Sequence, residues 1–200
     1  AGFGVMGRGS SPEDELRGYI GRAEDYLWDL IGGKPADDIT VVVIDLPPEM
    51  AGGTTGLLTV PDALRSGLIG LMYGDSEQLE FEADTPRNDC HIMVDEAYLA
   101  QNFQDGTMMR LISGHEMFHC WSWVNSPTAG DHILTPEWYQ EGLASWIGER
   151  YAGQTPHAER WWRGWLDPAL VRLFWLDYPA IGLWAWLEDH LGDDLFESVQ

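Results

Sequence analysis

The chain has 200 residues, 44% of them hydrophobic, and a formal net charge of −22. That length suits one domain with a real core, or two lobes sharing a cleft. So negative a field argues against nucleic acid and anionic membranes as partners, and no apolar run is clean enough for a membrane span.

In chain order, residues 1–12 are rich in glycine and serine and read as loose. Pro12-Glu13-Asp14-Glu15 opens a helix with negative charge at its start, and Gly32-Gly33 stops it. Leu16, Ile20, Tyr26, Leu27, Leu30 and Ile31 lie near one face of that helix. Thr40 to Leu46 is β-branched and reads as a buried strand ended by Pro47-Pro48. Residues 50–75 hold many glycines and suggest a short helix or hairpin; Leu79 to Ala83 and His91 to Val94 read as further strands. Ala97 to Trp123 reads as a helix in two pieces around Asp105-Gly106, with Met108, Leu111, Ile112 and Phe118 on its core face. A loop follows at 125–135, then a helix from Glu137 to Tyr151 introduced by Pro136. Residues 158–191 read as helical and hold six of the eleven tryptophans, expected mainly in the core. The end, Phe196 to Gln200, falls inside an apparent helix, as expected of a longer parent or of a compact form without flanking domains.

His115-Glu116-Met117-Phe118-His119 is an HExxH motif inside one of these helices. Histidines four residues apart project from one helical face about one turn apart, close enough to bind one metal ion. Glu116 sits beside the first histidine, placed to act as a general base on a water. Catalytic zinc usually takes three protein ligands. Glu141, one turn inside the next helix and separated from His119 by twenty-one residues, is the expected third. His132, on the long loop, is within reach of the cleft, but it has no motif behind it and reads as solvated, as do His91, His157 and His190. The two cysteines, Cys90 and Cys120, are too few for a disulfide scaffold; a single disulfide and two buried thiols both remain open.

Three local patterns carry a family resemblance. HExxH is followed by Trp121; Trp138, Glu141, Gly142, Ala144 and Ser145 form a Trp-x-x-Glu-Gly pattern with a small pair; and Tyr178 precedes Gly182 in an apolar helix ending at Leu191-Gly192. On these the chain resembles the gluzincin zinc metallopeptidases, and is similar to the catalytic domains of the aminopeptidase N and glycyl aminopeptidase families. The resemblance implies an α+β, thermolysin-like domain. A small mixed sheet and the HExxH helix would form an N-terminal lobe (1–127), and a helical C-terminal lobe (128–200) would carry the third ligand. It implies one Zn2+ per chain on His115, His119 and Glu141, with Glu116 as general base in hydrolysis of a peptide bond by a zinc-activated water. By the family position Tyr178 would be the oxyanion donor and His91 to Asp95 the edge strand pairing with extended substrate. From the residues alone, Tyr139 and Tyr151 are the substitutes for Tyr178, and Ser145, one turn beyond Glu141, is one candidate outer partner of a ligand histidine. The chain departs from the pattern in a longer segment before Glu141 and one extra residue between Tyr178 and Gly182. It has no Gly-x-Met-Glu-Asn segment either; Gly52 to Gly56 takes the approximate place without an acidic side chain. Aminopeptidase specificity therefore does not carry over. The expected partner is a peptide or protein substrate, and the expected location is extracellular or periplasmic. The alternative is a non-catalytic, zinc-stabilised peptide-binding module derived from a peptidase.

Overall fold

The computed structural model describes residues 11–33, 38–44, 57–61, 89–95, 99–100, 105–125, 136–167, 176–192 and 195. The expected strand at Leu79–Ala83, the Gly52–Gly56 segment, the 125–135 loop beyond Asn125 and His132 lie outside them.

Helix α1 spans Pro12–Ile31. Ser11 starts it with a reciprocal box: its hydroxyl accepts from the Asp14 amide at 3.1 Å, and the Asp14 carboxylate accepts from the Ser11 amide at 3.3 Å. Leu16, Ile20, Ala23, Leu27 and Ile31 recur at helical spacing and are buried. Strands β1 (Asp38–Ile44), β2 (Leu57–Pro61) and β3 (Asp89–Asp95) follow. β3 pairs in parallel with β1 and antiparallel with β2. The expected edge strand, His91 to Asp95, is therefore the middle strand, with both hydrogen-bonding edges taken, and cannot accept an added substrate strand. Its alternate residues Cys90, Ile92 and Val94 are fully buried among the helices.

Helix α2 (Gly106–Asn125) runs through the centre of the molecule, with residues 111–118 all buried. The Asp105 carboxylate caps its start, accepting from the Thr107 and Met108 amides at 3.0 Å each. Helix α3 (Glu137–Ala152) lies along one side of α2 and α1 along another. Two short 3-10 turns, Pro156–Ala158 and Tyr178–Ala180, precede helices α4 (Glu159–Leu166) and α5 (Ile181–Leu191). Of the tryptophans expected in the core, Trp161 and Trp184 are buried, whereas Trp186 is 54% exposed.

These features correct the expected fold class. The described chain is mostly helical, and an α+β, thermolysin-like domain is not supported. The β-branched runs do form strands, but of only 7, 5 and 7 residues beside helices of 20, 20, 16, 8 and 11. Packing of helix on helix, with α2 between α1 and α3, sets the position of the site.

Candidate metal centre

Two helices supply the cluster. On α2 the helical period places His115 and His119 on one face, with their Nε2 atoms 3.1 Å apart. From α3, one Glu141 oxygen lies 3.2 Å from His115 Nε2 and the other 3.5 Å from His119 Nε2. All three ligand groups fall within 4.8 Å of one another.

Close approach of α2 and α3 depends on small residues. Glu141, Ala144 and Gly148 follow one another along one side of α3 at helical spacing. A Cβ on Gly148 would sit 2.4 Å from the Leu111 carbonyl oxygen and 3.1 Å from the His115 amide nitrogen. A Cβ on Gly114 would lie 3.0 Å from the Gly148 Cα. The backbones therefore touch beside the first ligand. The sequence signalled the HExxH motif and the glutamate; the glycine contact between the helices is what brings them together.

The far end of α2 is tied down twice. A disulfide joins Cys120, next to His119, to Cys90 of β3, deciding a pairing the sequence left open. Trp121 donates its indole N–H to the Gly32 carbonyl at the end of α1 at 2.7 Å. Asn125 in turn donates to the Trp121 carbonyl at 2.9 Å.

The donor set fits a divalent, nitrogen-preferring cation. Two ligand atoms each about 2.0–2.1 Å from zinc at a tetrahedral angle are about 3.3 Å apart, close to the spacings seen here. One Glu141 oxygen, Oε2, is buried and receives no hydrogen bond from the described residues, despite its 3.2 Å approach to His115. A buried anionic oxygen facing two imidazole nitrogens is costly unless a positive charge stands among them. The electrostatics agree. Burial by itself would raise the Glu141 carboxyl, but the facing imidazoles of His115 and His119 outweigh it and hold the group far below the usual carboxylate range. For His119, burial lowers the pKa, but Glu141, with Glu116 and Gln140, more than offsets it and leaves the imidazole above its ordinary value.

No protein-family model, curated protein or solved structure matches this chain. Its function has to be read from the cluster and what surrounds it.

Glu116 is 3% exposed, and its charge acts on His119, which keeps it beside the cluster. Tyr178 is brought to the site. Its ring stacks on His115 at 5.5 Å between centroids, and Trp161 stacks on Tyr178, also at 5.5 Å. Gly142 explains how: a Cβ there would lie 2.6 Å from the Ala180 Cβ, so the turn carrying Tyr178 rests against the residue after Glu141. Gly182 admits the Trp165 indole in the same way.

The substitutes for Tyr178 go elsewhere. Tyr151 donates to the Tyr19 carbonyl at 3.4 Å and its ring meets Tyr26 of α1. Tyr139 packs edge-on against Trp184. Ser145 does not hold a ligand histidine: its hydroxyl and His115 Nδ1 are both buried without a hydrogen-bond partner among the described residues. Trp138 packs on Trp184, and His190 sits exposed near the end of α5, 2.7 Å from the Trp186 carbonyl. The described part of His91 is its backbone, within β3.

Sequence reasoning missed Trp161 as a site residue, and gave His157 no role. His157 Nε2 lies 2.8 Å from the Asp105 carboxylate that caps α2. The Asp105 carboxyl is lowered, first by the Met108 amide and then by His157. A cavity of about 150 Å3 opens beside His115, walled by Met108, Leu111, Ile112 and Trp161, with His157 and Arg160 also lining it.

Proposed function

We propose that the chain is a zinc-dependent peptidase. The convergence of His115, His119 and the Glu141 carboxylate within 4.8 Å carries this reading. Zinc bound there would polarise the scissile carbonyl and lower a water's pKa from ~15.7 toward ~7. Glu116, next to His115 on the same turn, takes the proton of the attacking water and passes it to the leaving amine. The Tyr178 hydroxyl, on a ring held against His115, donates to the oxygen that gains charge in the tetrahedral state. The small cavity beside His115 receives a substrate side chain. The substrate is a peptide or protein.

No helix among the described residues is long and apolar enough to cross a membrane. The Cys90–Cys120 disulfide supports an oxidising compartment, extracellular or periplasmic.

Metal content by elemental analysis, with peptide hydrolysis assayed before and after chelation, tests the proposal. About one zinc per chain with chelator-sensitive cleavage is the expected result. Zinc retained without cleavage of any peptide in a diverse library would overturn hydrolysis in favour of a peptide-binding module.

A further inference from the structure

A second cavity, of about 680 Å3, opens where α3 gives way to α4. It shares no lining residue with the small cavity beside His115. Trp146, Glu149 and Arg150 of α3 and Trp162 and Glu159 of α4 contribute to its walls. We propose that this cavity binds a primary alkylammonium group, independently of the metal centre.

Glu149 carries the argument. It is 5% exposed, yet it lines the cavity. Its carboxylate accepts from the Thr155 amide at 3.4 Å and from the Trp162 indole N–H. Both donors are neutral. No ion pair joins Glu149 to a cation among the described residues; Arg150, which lines the same cavity, pairs with Glu188 of α5. A buried carboxylate is ordinarily matched by a positive charge, and the cavity that Glu149 lines is where one can stand.

The other walls suit an organic cation better than a bare metal ion. Trp146 and Trp162 meet at nearly a right angle, 88°, with centroids 6.1 Å apart, making a corner of two indoles. Indole faces attract ammonium groups and cover alkyl stems. The hydrogen bond from Trp162 to a carboxylate pushes electron density into that ring and strengthens the attraction. Glu159, at the exposed rim, is paired with Arg163 and adds little net charge there, but the net charge of −22 concentrates cations around the whole molecule. Hard metal ions favour several oxygen ligands, and this cavity offers one buried carboxylate between aromatic walls.

Two sources supply this chemistry: a free diamine and the side chain of a lysine in a peptide. Titration of the whole chain with cadaverine and with Nα-acetyl-lysine amide, in 0.15 M salt and with chelator present, separates them. The neutral control is 1-pentanol. The expected result is saturable binding of one amine per chain, with movement of the Trp162 indole N–H resonance and no movement of Trp28 or Trp186. Preference for cadaverine marks a free amine as ligand; preference for the lysine amide marks a peptide side chain. Glu149→Gln, with its fold checked by circular dichroism, should weaken binding at least about tenfold. Glu149→Gln also weakens the link to Trp162, so the wild-type resonance test stands by itself if that variant does not fold. An unmoved Trp162 signal at saturating amine, or binding that never saturates, would overturn the proposal. Because chelator is present throughout, failure here leaves the peptidase reading untouched, and loss of zinc does not affect this result.

Discussion

The two halves of the metal cluster are specified in different ways. His115 and His119 need only one turn of helix, so any sequence that forms α2 places them together. Glu141 reaches them from α3 across a backbone contact at Gly114 and Gly148, which no local pattern encodes. One half of the site is therefore as robust as a helix, and the other as fragile as a single packing contact.

Breaking that contact should have the largest effect. Gly148→Val puts side-chain atoms where the Leu111 carbonyl stands, forcing α3 away from α2. Overpacking of this kind costs about 1–3 kcal/mol or more. Zinc content and thermal unfolding should fall together, while Glu141→Ala should lose zinc with little change in unfolding. A Gly148→Val protein that keeps full zinc would show that the helices do not set the ligand geometry.

Glu116→Gln tests the local half. It leaves all three ligands in place, so zinc should stay bound while hydrolysis drops by roughly 10²–10⁴-fold. Loss of metal in this variant would mean that Glu116 supports the ligands rather than the proton transfer. Tyr178→Phe comes next. It keeps the ring against His115 and removes only the hydroxyl, so kcat should fall by about 10²-fold or more with KM little changed. A wild-type kcat would leave Tyr178 as a packing residue.

Replacing Cys90 and Cys120 by alanine should lower stability by about 3–4 kcal/mol, from the chain entropy of a closure spanning 30 residues. Denaturant unfolding measures it, and zinc affinity should change less than in Glu141→Ala.

The smallest effect is protonic. Glu141 is lowered from 4.5, so its contribution to the metal-free protein is present above 4.5 and fades as pH falls below it. His119 is raised from 6.5, so its contribution is full below 6.5 and fades as pH rises through its folded value. In metal-free protein the pair therefore adds most between about 4.5 and 6.5. Zinc requires His119 unprotonated, so zinc-loaded protein should gain stability above that window instead. Melting temperature against pH, with and without chelator and compared with Glu141→Gln, reads the difference.

Much of this was legible in the sequence wherever the cause was local. The starts of α1 and α3 followed from Pro12-Glu13-Asp14-Glu15 and Pro136, and the break at Asp105-Gly106 is where the Asp105 cap begins α2. The shared face of His115 and His119 followed from helical spacing, whereas the approach of Glu141 from α3 did not. Nor did the fold class: the α+β expectation came with the family resemblance, carried by local motifs around the site, while the described residues are mostly helical. The rank of β3 within its sheet was equally hidden, because strand order depends on partners distant in sequence. Ser145 was misassigned because helical spacing gives a residue's face but not whether its hydroxyl reaches a particular nitrogen. Glu149 passed unnoticed because one glutamate on a helix carries no signal until Trp162 is folded against it.

Gly148 has a consequence for design. A chemist who grafts His115, His119 and Glu141 onto another pair of helices copies every atom that would touch the ion. Ordinary neighbours, however, hold helix axes 8–10 Å apart, with side chains filling the space between. The grafted carboxylate would be held too far off, and the graft would bind metal through two histidines alone. The ligands can be moved only together with the missing side chain at Gly148.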